Sequence, residues 1–231
     1  MDAMTIATRT ITAFTIFAGS AARAADTAAS GATGPAAGTL LGLTLLLALC
    51  AGLPFWQRAG RRFARRRLQR ALRRQAVDVL DDFIVPGAYD GLTHIHYAVL
   101  TRSGILCVHT RHCRGTVAGH GSDAQWFATH GSSSRQFLNP AIQNAGHVKA
   151  LARIVPEVPV SGLVVFTGPA TLRDVTDDNV IRMAALADYL AAANETDDPP
   201  AGLQEAWQTL QASALTDAAT RKDLDAQLSF G

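Results

Sequence analysis

Residues 94–111 read HIHYAVLTRSGILCVHTR, two alternating apolar arms joined by Thr-Arg-Ser-Gly. Alternation with period two on both sides of a short glycine-containing turn is the signature of a β-hairpin. If Leu100 faces Ile105, then Ala98 faces Cys107, His96 faces His109 and His94 faces Arg111. Successive strand side chains point to opposite faces, so these residues share one face. Ile95, Tyr97, Val99, Leu106, Val108 and Thr110 make the other, core-facing side. Three histidines, an arginine and a cysteine thus line one face of the expected sheet.

Working outward, Leu68–Phe83 has helical spacing through Leu68, Leu72, Val79 and Leu80, and Pro86–Gly91 is a turn-rich loop. Asn139-Pro140 supplies a cap and a first-turn proline for a helix through Ile154 that stops near Pro156. Leu163–Thr167 is a continuous apolar run suited to a buried strand. Asn179–Met183 is a short strand leading into an alanine-rich helix to about Ala193. After a linker at Thr196–Ala201, helices are expected at Leu203–Ala212 and Asp217–Leu228. The succession predicts a mixed α/β sheet with helices against it.

The chain has 231 residues and a net charge of only +2, but that charge is unevenly placed. Nineteen of the 21 basic residues are arginine, and nine of these lie in Arg58–Arg74 with no acid among them. From Ala76 onward there are 10 basic and 17 acidic residues, a net of −7. A protein that coats nucleic acid over a broad basic surface is therefore excluded. Three scattered cysteines do not make a disulfide scaffold.

The N-terminal quarter reads as an address. Thr10–Ala18 is apolar, and Ala22-Arg23-Ala24 carries small residues at the −3 and −1 positions, as in a signal peptide over residues 1–25. Residues 26–36 form a flexible linker rich in small residues. Ala37–Trp56 is a 20-residue run without charge, the length of a transmembrane helix ending in interfacial Phe55 and Trp56. The arginines of residues 57–75 follow at once and place the C-terminal part on the cytoplasmic side of a bacterial inner membrane. Arg58–Arg74 is expected to meet anionic lipid headgroups, with nucleic-acid phosphates as the other partner for the same charges.

The ordered motifs Asp90–Gly115, Asp123–Trp126 (DAQW), Phe137–Pro140 (FLNP), Gln143–His147 (QNAGH) and Leu163–Gly168 (LVVFTG) resemble the nuclease-related domain, or NERD, family over about residues 76–190. That family is similar to the PD-(D/E)xK nucleases. The resemblance implies a restriction-endonuclease-like mixed sheet flanked by helices, here in residues 76–195, with a helical extension at 196–231. It also implies an Asp on the first hairpin arm and a Glu-x-Lys on the second, whose carboxylates bind a divalent metal while the Lys helps position the attacking water or stabilise developing charge. Here His96 stands in place of the Asp, His109 in place of the Glu and Arg111 in place of the Lys. Gln143, with His147 four residues on, matches a family position that faces the site.

No cofactor is expected from this set, because neutral imidazole is a poor ligand for a hard ion such as Mg²⁺. Three alternatives stay open for the histidines, all seven of which lie between His94 and His147. His94, His96 and His109 take Zn²⁺ or Mn²⁺; the His/Arg face is a pH-sensitive or phosphate-binding pocket; or the face is catalytically silent. A binding module and a metal-dependent nuclease with an altered His/Arg site are the two functions these alternatives support. Glycine-rich Gly115–Gly121 matches no phosphate loop, Ser132–Arg135 has no nucleophile elbow, and Trp126 and Trp207 read as core anchors.

Overall fold

In a computed structural model of the chain, the described residues are 59–88, 91–175, 177–216 and 220–221. The expected signal peptide, linker and membrane span lie outside them, as does most of the expected helix at Asp217–Leu228. Among the described residues no helix is long and apolar enough to cross a membrane. From Gly60 onward the chain forms one compact unit.

Helix α1 covers residues 59–75, and strand β1 follows at Asp78–Pro86. The helix expected over Leu68–Phe83 is therefore corrected: it begins earlier and ends before Val77. Leu68 and Leu72, one helical turn apart, are fully buried. Asp78–Pro86 (DVLDDFIVP) instead pairs antiparallel with β2 (Leu92–Thr101), from Asp78↔Leu100 to Pro86↔Leu92. Its β-branched residues suit a pleated surface, and a hairpin partner outweighs a weak helical pattern.

Strand β3 (Gly104–Arg111) completes the expected hairpin in the expected register, with Leu100 opposite Ile105 and Ala98 opposite Cys107. Three strands follow: β4 (Gly115–Ala118), β5 (Gln125–His130) and β6 (Ser133–Leu138). Helix α2 (Pro140–Ile154) then crosses over to β7 (Val160–Phe166), which lies parallel to β3 from Ile105↔Val160 to Arg111↔Phe166. The Asn139 side chain accepts from the Ala141 amide, so the α2 cap is as the sequence indicates. Strands β8 (Ala170–Arg173) and β9 (Val180–Arg182), helix α3 (Leu186–Ala193) and helix α4 (Leu203–Ser213) finish the described fold. The strands form a five-stranded sheet, β1-β2-β3-β7-β9, and a four-stranded sheet, β6-β5-β4-β8.

Both faces of the five-stranded sheet are buried. On one, Ala98, Leu100, Ile105 and Cys107 pack with Leu151 of α2, its C-cap Val155, and Trp207 and Leu210 of α4. On the other, Tyr97, Val99, Leu106 and Val108 pack with Leu68 and Leu72 of α1 and Leu186 and Leu190 of α3. The face expected to be polar is thus polar only toward its His96–His109 end. Cys107 is its clearest correction: it is buried, its thiol is pushed up to about 12 by burial, and Asn144 is its hydrogen-bond partner. Ile95 also departs from the expected face, packing with Phe83 and Val85 rather than with Tyr97. The side-chain phase shifts where Asp82 adopts φ +60° opposite His96. A third cluster, with Trp126 stacked 6.5 Å from Phe166, joins the smaller sheet to β7 and β9.

Candidate functional site

The phase shift on β1 and β2 opens the sheet where the site lies. The Thr110 amide donates to His96 Nδ1 at 3.2 Å, so an imidazole replaces a ladder carbonyl there. That bond makes Nδ1 the acceptor and leaves the ring proton on Nε2. The His96 ring lies 4.8 Å from His109, and His109 lies 5.4 Å from His147 on α2. Burial, reinforced by the charges of His94, His147 and Arg65, lowers His96 to about 4. Burial and the neighbouring His96, His147 and Arg111 lower His109 to about 3. His147 is lowered too, by burial and by His94. The row is therefore uncharged at neutral pH.

His94 stands apart from that row. Its ring is edge-on to His96 at 5.5 Å, and its Nε2 lies 2.8 Å from Asp82 Oδ1. Asp82 also receives Arg65 at 3.2 Å and Arg221 at 3.4 Å. Burial alone would raise its carboxyl, but the bonds from His94 and Arg65 and the charges of Arg65 and Arg221 hold it below the ordinary carboxylate value. Asp82, His94 and His96 line a cavity of about 280 Å³, closed on the α1 side by Arg61 and Arg65 and at the far end by His112 and Thr167. Thr167 Oγ1 is 3.4 Å from His112 Nδ1.

The sequence-based set is thus rearranged. His96 and His109 are neighbours as expected, and His147 joins them. His94 leaves the proposed metal set for Asp82, because the kink turns it toward β1. Arg111 sits with its guanidinium carbon 4.6 Å above the Phe137 ring, a cation–π contact that orients it toward β6. Gln143 is on α2 one turn before His147, and its Oε1 is buried without a protein partner, as is His109 Nδ1. Asp82 is not singled out in the sequence, and Arg65 reads there only as part of the lipid-facing Arg58–Arg74 segment. The signal was the Asp81-Asp82 pair inside an otherwise apolar run, which a helical reading of residues 68–83 concealed.

A divalent metal of the kind implied by the nuclease resemblance does not suit these residues. The two positions that need hard oxygen ligands hold imidazoles, Arg111 stands beside them, and the nearby carboxylate is enclosed by two arginines and a histidine. Among the described residues, no group of three or more His, Cys, Asp or Glu side chains is arranged to hold a metal ion.

An antiparallel hairpin joined through a helical crossover to a parallel strand, with the histidine row at the hairpin's open end, defines a mixed α/β domain. Residues 56–167, a little under half of the chain, match the model of the nuclease-related domain, NERD. An uncharacterized protein of Bacillus anthracis is 26% identical over 125 residues, which cover 53% of this chain and 58% of the relative. The chain thus matches a little over half the length of that relative. No solved structure matches the chain.

Proposed function

We propose that this chain is a membrane-anchored, nuclease-related protein whose hydrolytic site is silent and whose domain serves as a binding module. The observation that carries the reading is that His96 and His109 replace both metal-binding carboxylates and Arg111 the Lys of the resembled site, with Asp82 held by Arg65, Arg221 and His94. Without a metal, a nuclease loses both hydroxide generation and charge stabilisation of the phosphoryl transition state. The buried imidazoles are neutral, so they do not supply that charge themselves.

The anchor is the uncharged Ala37–Trp56 run, and the arginines after it favour a cytoplasmic domain at a bacterial inner membrane. Arg58–Arg74 then meets anionic headgroups, at about 1 kcal/mol for each arginine near the surface. Fusing a reporter to the C-terminus tests the orientation: fluorescence from GFP is expected, and alkaline phosphatase activity overturns it.

Catalysis is tested with the full chain on supercoiled plasmid, single-stranded DNA and RNA, with Mg²⁺, Mn²⁺ and Zn²⁺ in turn. No cleavage is expected. Cleavage that vanishes in His96→Ala and His109→Ala establishes the other reading, a metal-dependent nuclease with an altered His/Arg site.

A further inference from the structure

A second cavity, of about 480 Å³, opens beside the first and shares His112 and Thr167 with it. Its volume falls in the range of small-molecule sites. Three guanidinium-bearing residues border it, and they come from three separate parts of the fold: Arg67 from α1, Arg114 from the β3–β4 loop and Arg182 from the end of β9. No aspartate or glutamate lines it. Among the described residues, none of the three arginines forms an ion pair, whereas Arg65, Arg73 and Arg221 all do.

The wall of this cavity is fixed by backbone rather than by loose side chains. The Gly115 amide donates to Pro169 O at 3.2 Å, and the Thr167 amide to Arg111 O at 3.0 Å. Gly168 lets the two loops touch, since a Cβ there would fall 2.0 Å from Cys113 O. Gly115 takes φ +84°, a left-handed value that suits glycine. Arg114 is therefore carried on a stitched pair of loops, next to His112. His112 is lowered by burial and by the charges of Arg61 and Arg114, so the field at this corner is positive.

Uncompensated guanidiniums converging on a cavity are suited to an oxyanion with several acceptor oxygens, and their planar donors match phosphate geometry. We propose that Arg67, Arg114 and Arg182 form a seat for a phosphate group carried by a small anionic molecule, either a lipid headgroup or a soluble phosphate ester. The proposal deepens the binding-module reading and rests on it. It gives that module a ligand class and a place distinct from the His96–His109 row. The shared His112–Thr167 contact couples the seat to the cavity that holds Asp82.

The test uses the full chain in a neutral detergent, titrated calorimetrically with inorganic phosphate, glycerol 1-phosphate, short-chain phosphatidylglycerol, short-chain phosphatidylcholine and a single-stranded DNA oligonucleotide. Binding of at least one of the first three is expected. Arg114→Gln and Arg182→Gln should each weaken it about tenfold, the order set by one charge-assisted hydrogen bond, and the double variant should abolish it. Arg135→Gln, an exposed arginine on β6, should leave it unchanged. Binding of phosphatidylglycerol without glycerol 1-phosphate assigns the lipid source, and binding of the free ester assigns the soluble one. Unaltered affinity in the double variant overturns the proposal, provided its melting curve matches wild type. So does an equal loss in Arg135→Gln, or a response to single-stranded DNA alone. Should the double variant lose its native melt, Arg114→Lys and Arg182→Lys replace it: they keep the charge, and partial retention of affinity is required. Binding is read without turnover, so nucleic-acid cleavage would overturn the silent-site reading while leaving this titration's result distinct.

Discussion

The histidine row and the arginine wall are both built from basic residues, yet only one of them is charged at neutral pH. His96 and His109 pack toward α2, where burial drives them to about 4 and about 3. Arg67, Arg114 and Arg182 border an open cavity on the α1 side, and guanidinium keeps its proton at any physiological pH. The difference teaches that composition does not locate positive potential in this domain. Burial silences the cluster that stands out in the sequence, and exposure preserves one assembled from distant segments.

Acid should break the contrast most strongly. Each buried histidine has a folded value below its unfolded value near 6.5, so the unfolded chain binds more protons below that pH. Stability is therefore fully present above about pH 6.5 and is lost as pH falls toward about 4 for His96 and about 3 for His109. The combined loss should reach several kcal/mol, since each tenfold weakening of proton affinity on folding is worth about 1.4 kcal/mol. Asp82, whose carboxyl is lowered, adds a further loss only below its unfolded value near 3.8. Urea melts of the full chain between pH 8 and 4 measure this. Flat stability across that window contradicts the buried, neutral row, and His109→Gln should flatten part of the slope.

Removing the support beneath the arginine wall comes next. Leu72 is fully buried under the sheet and holds α1, so Leu72→Ala should cost about 3 kcal/mol through lost burial and the cavity left behind. A loss under about 1 kcal/mol would show that α1 is held some other way. Converting the row into an acidic site is a sharper intervention. His96→Asp, His109→Glu and Arg111→Lys together should lower stability by about 2 kcal/mol without metal, because two carboxylates enter a buried place. Mg²⁺ should then raise the melting temperature of that variant and not of wild type. The smallest effect belongs to Asp82→Asn, about 1 kcal/mol or less, because its partners are part-exposed ion pairs and Asn tolerates the left-handed backbone.

Local rules made much of the larger sheet legible. The β2–β3 hairpin, the Asn139-Pro140 start of α2 and the apolar β7 run each carry their signal within a few residues. β1 did not, because Leu68, Leu72, Val79 and Leu80 continue a helical spacing across a real boundary near residue 76. The smaller sheet was not anticipated at all. β5 (QWFATH) and β6 (SSRQFL) are short and mostly exposed, so their few buried residues, such as Trp126 and Phe137, leave no readable alternation.

The site divides along the same line. His96 and His109 were readable as neighbours because hairpin register fixes cross-strand pairs. His147 and Gln143 could be placed on one helix face, but their approach to His109 required α2 to lie across β3. Asp82 needed both the correct strand and a backbone kink. The Arg67–Arg114–Arg182 group had no sequence signature, since its members lie 47 and 68 residues apart and meet only through tertiary structure.

The parallel pairing of β3 with β7 sets an order in time as well as in space. Ile105 faces Val160, so 55 residues must be synthesised and looped before that ladder can begin to close. The β1–β2–β3 meander, by contrast, is joined by short turns and can zip locally within microseconds. During translation the free edge of β3 emerges first, with its unpaired amides exposed until α2 and β7 follow. Loop closure of this kind slows folding more than it weakens the finished state. The nascent chain therefore passes through an interval in which β3 is open to pairing with another molecule, and β7 must arrive to end it.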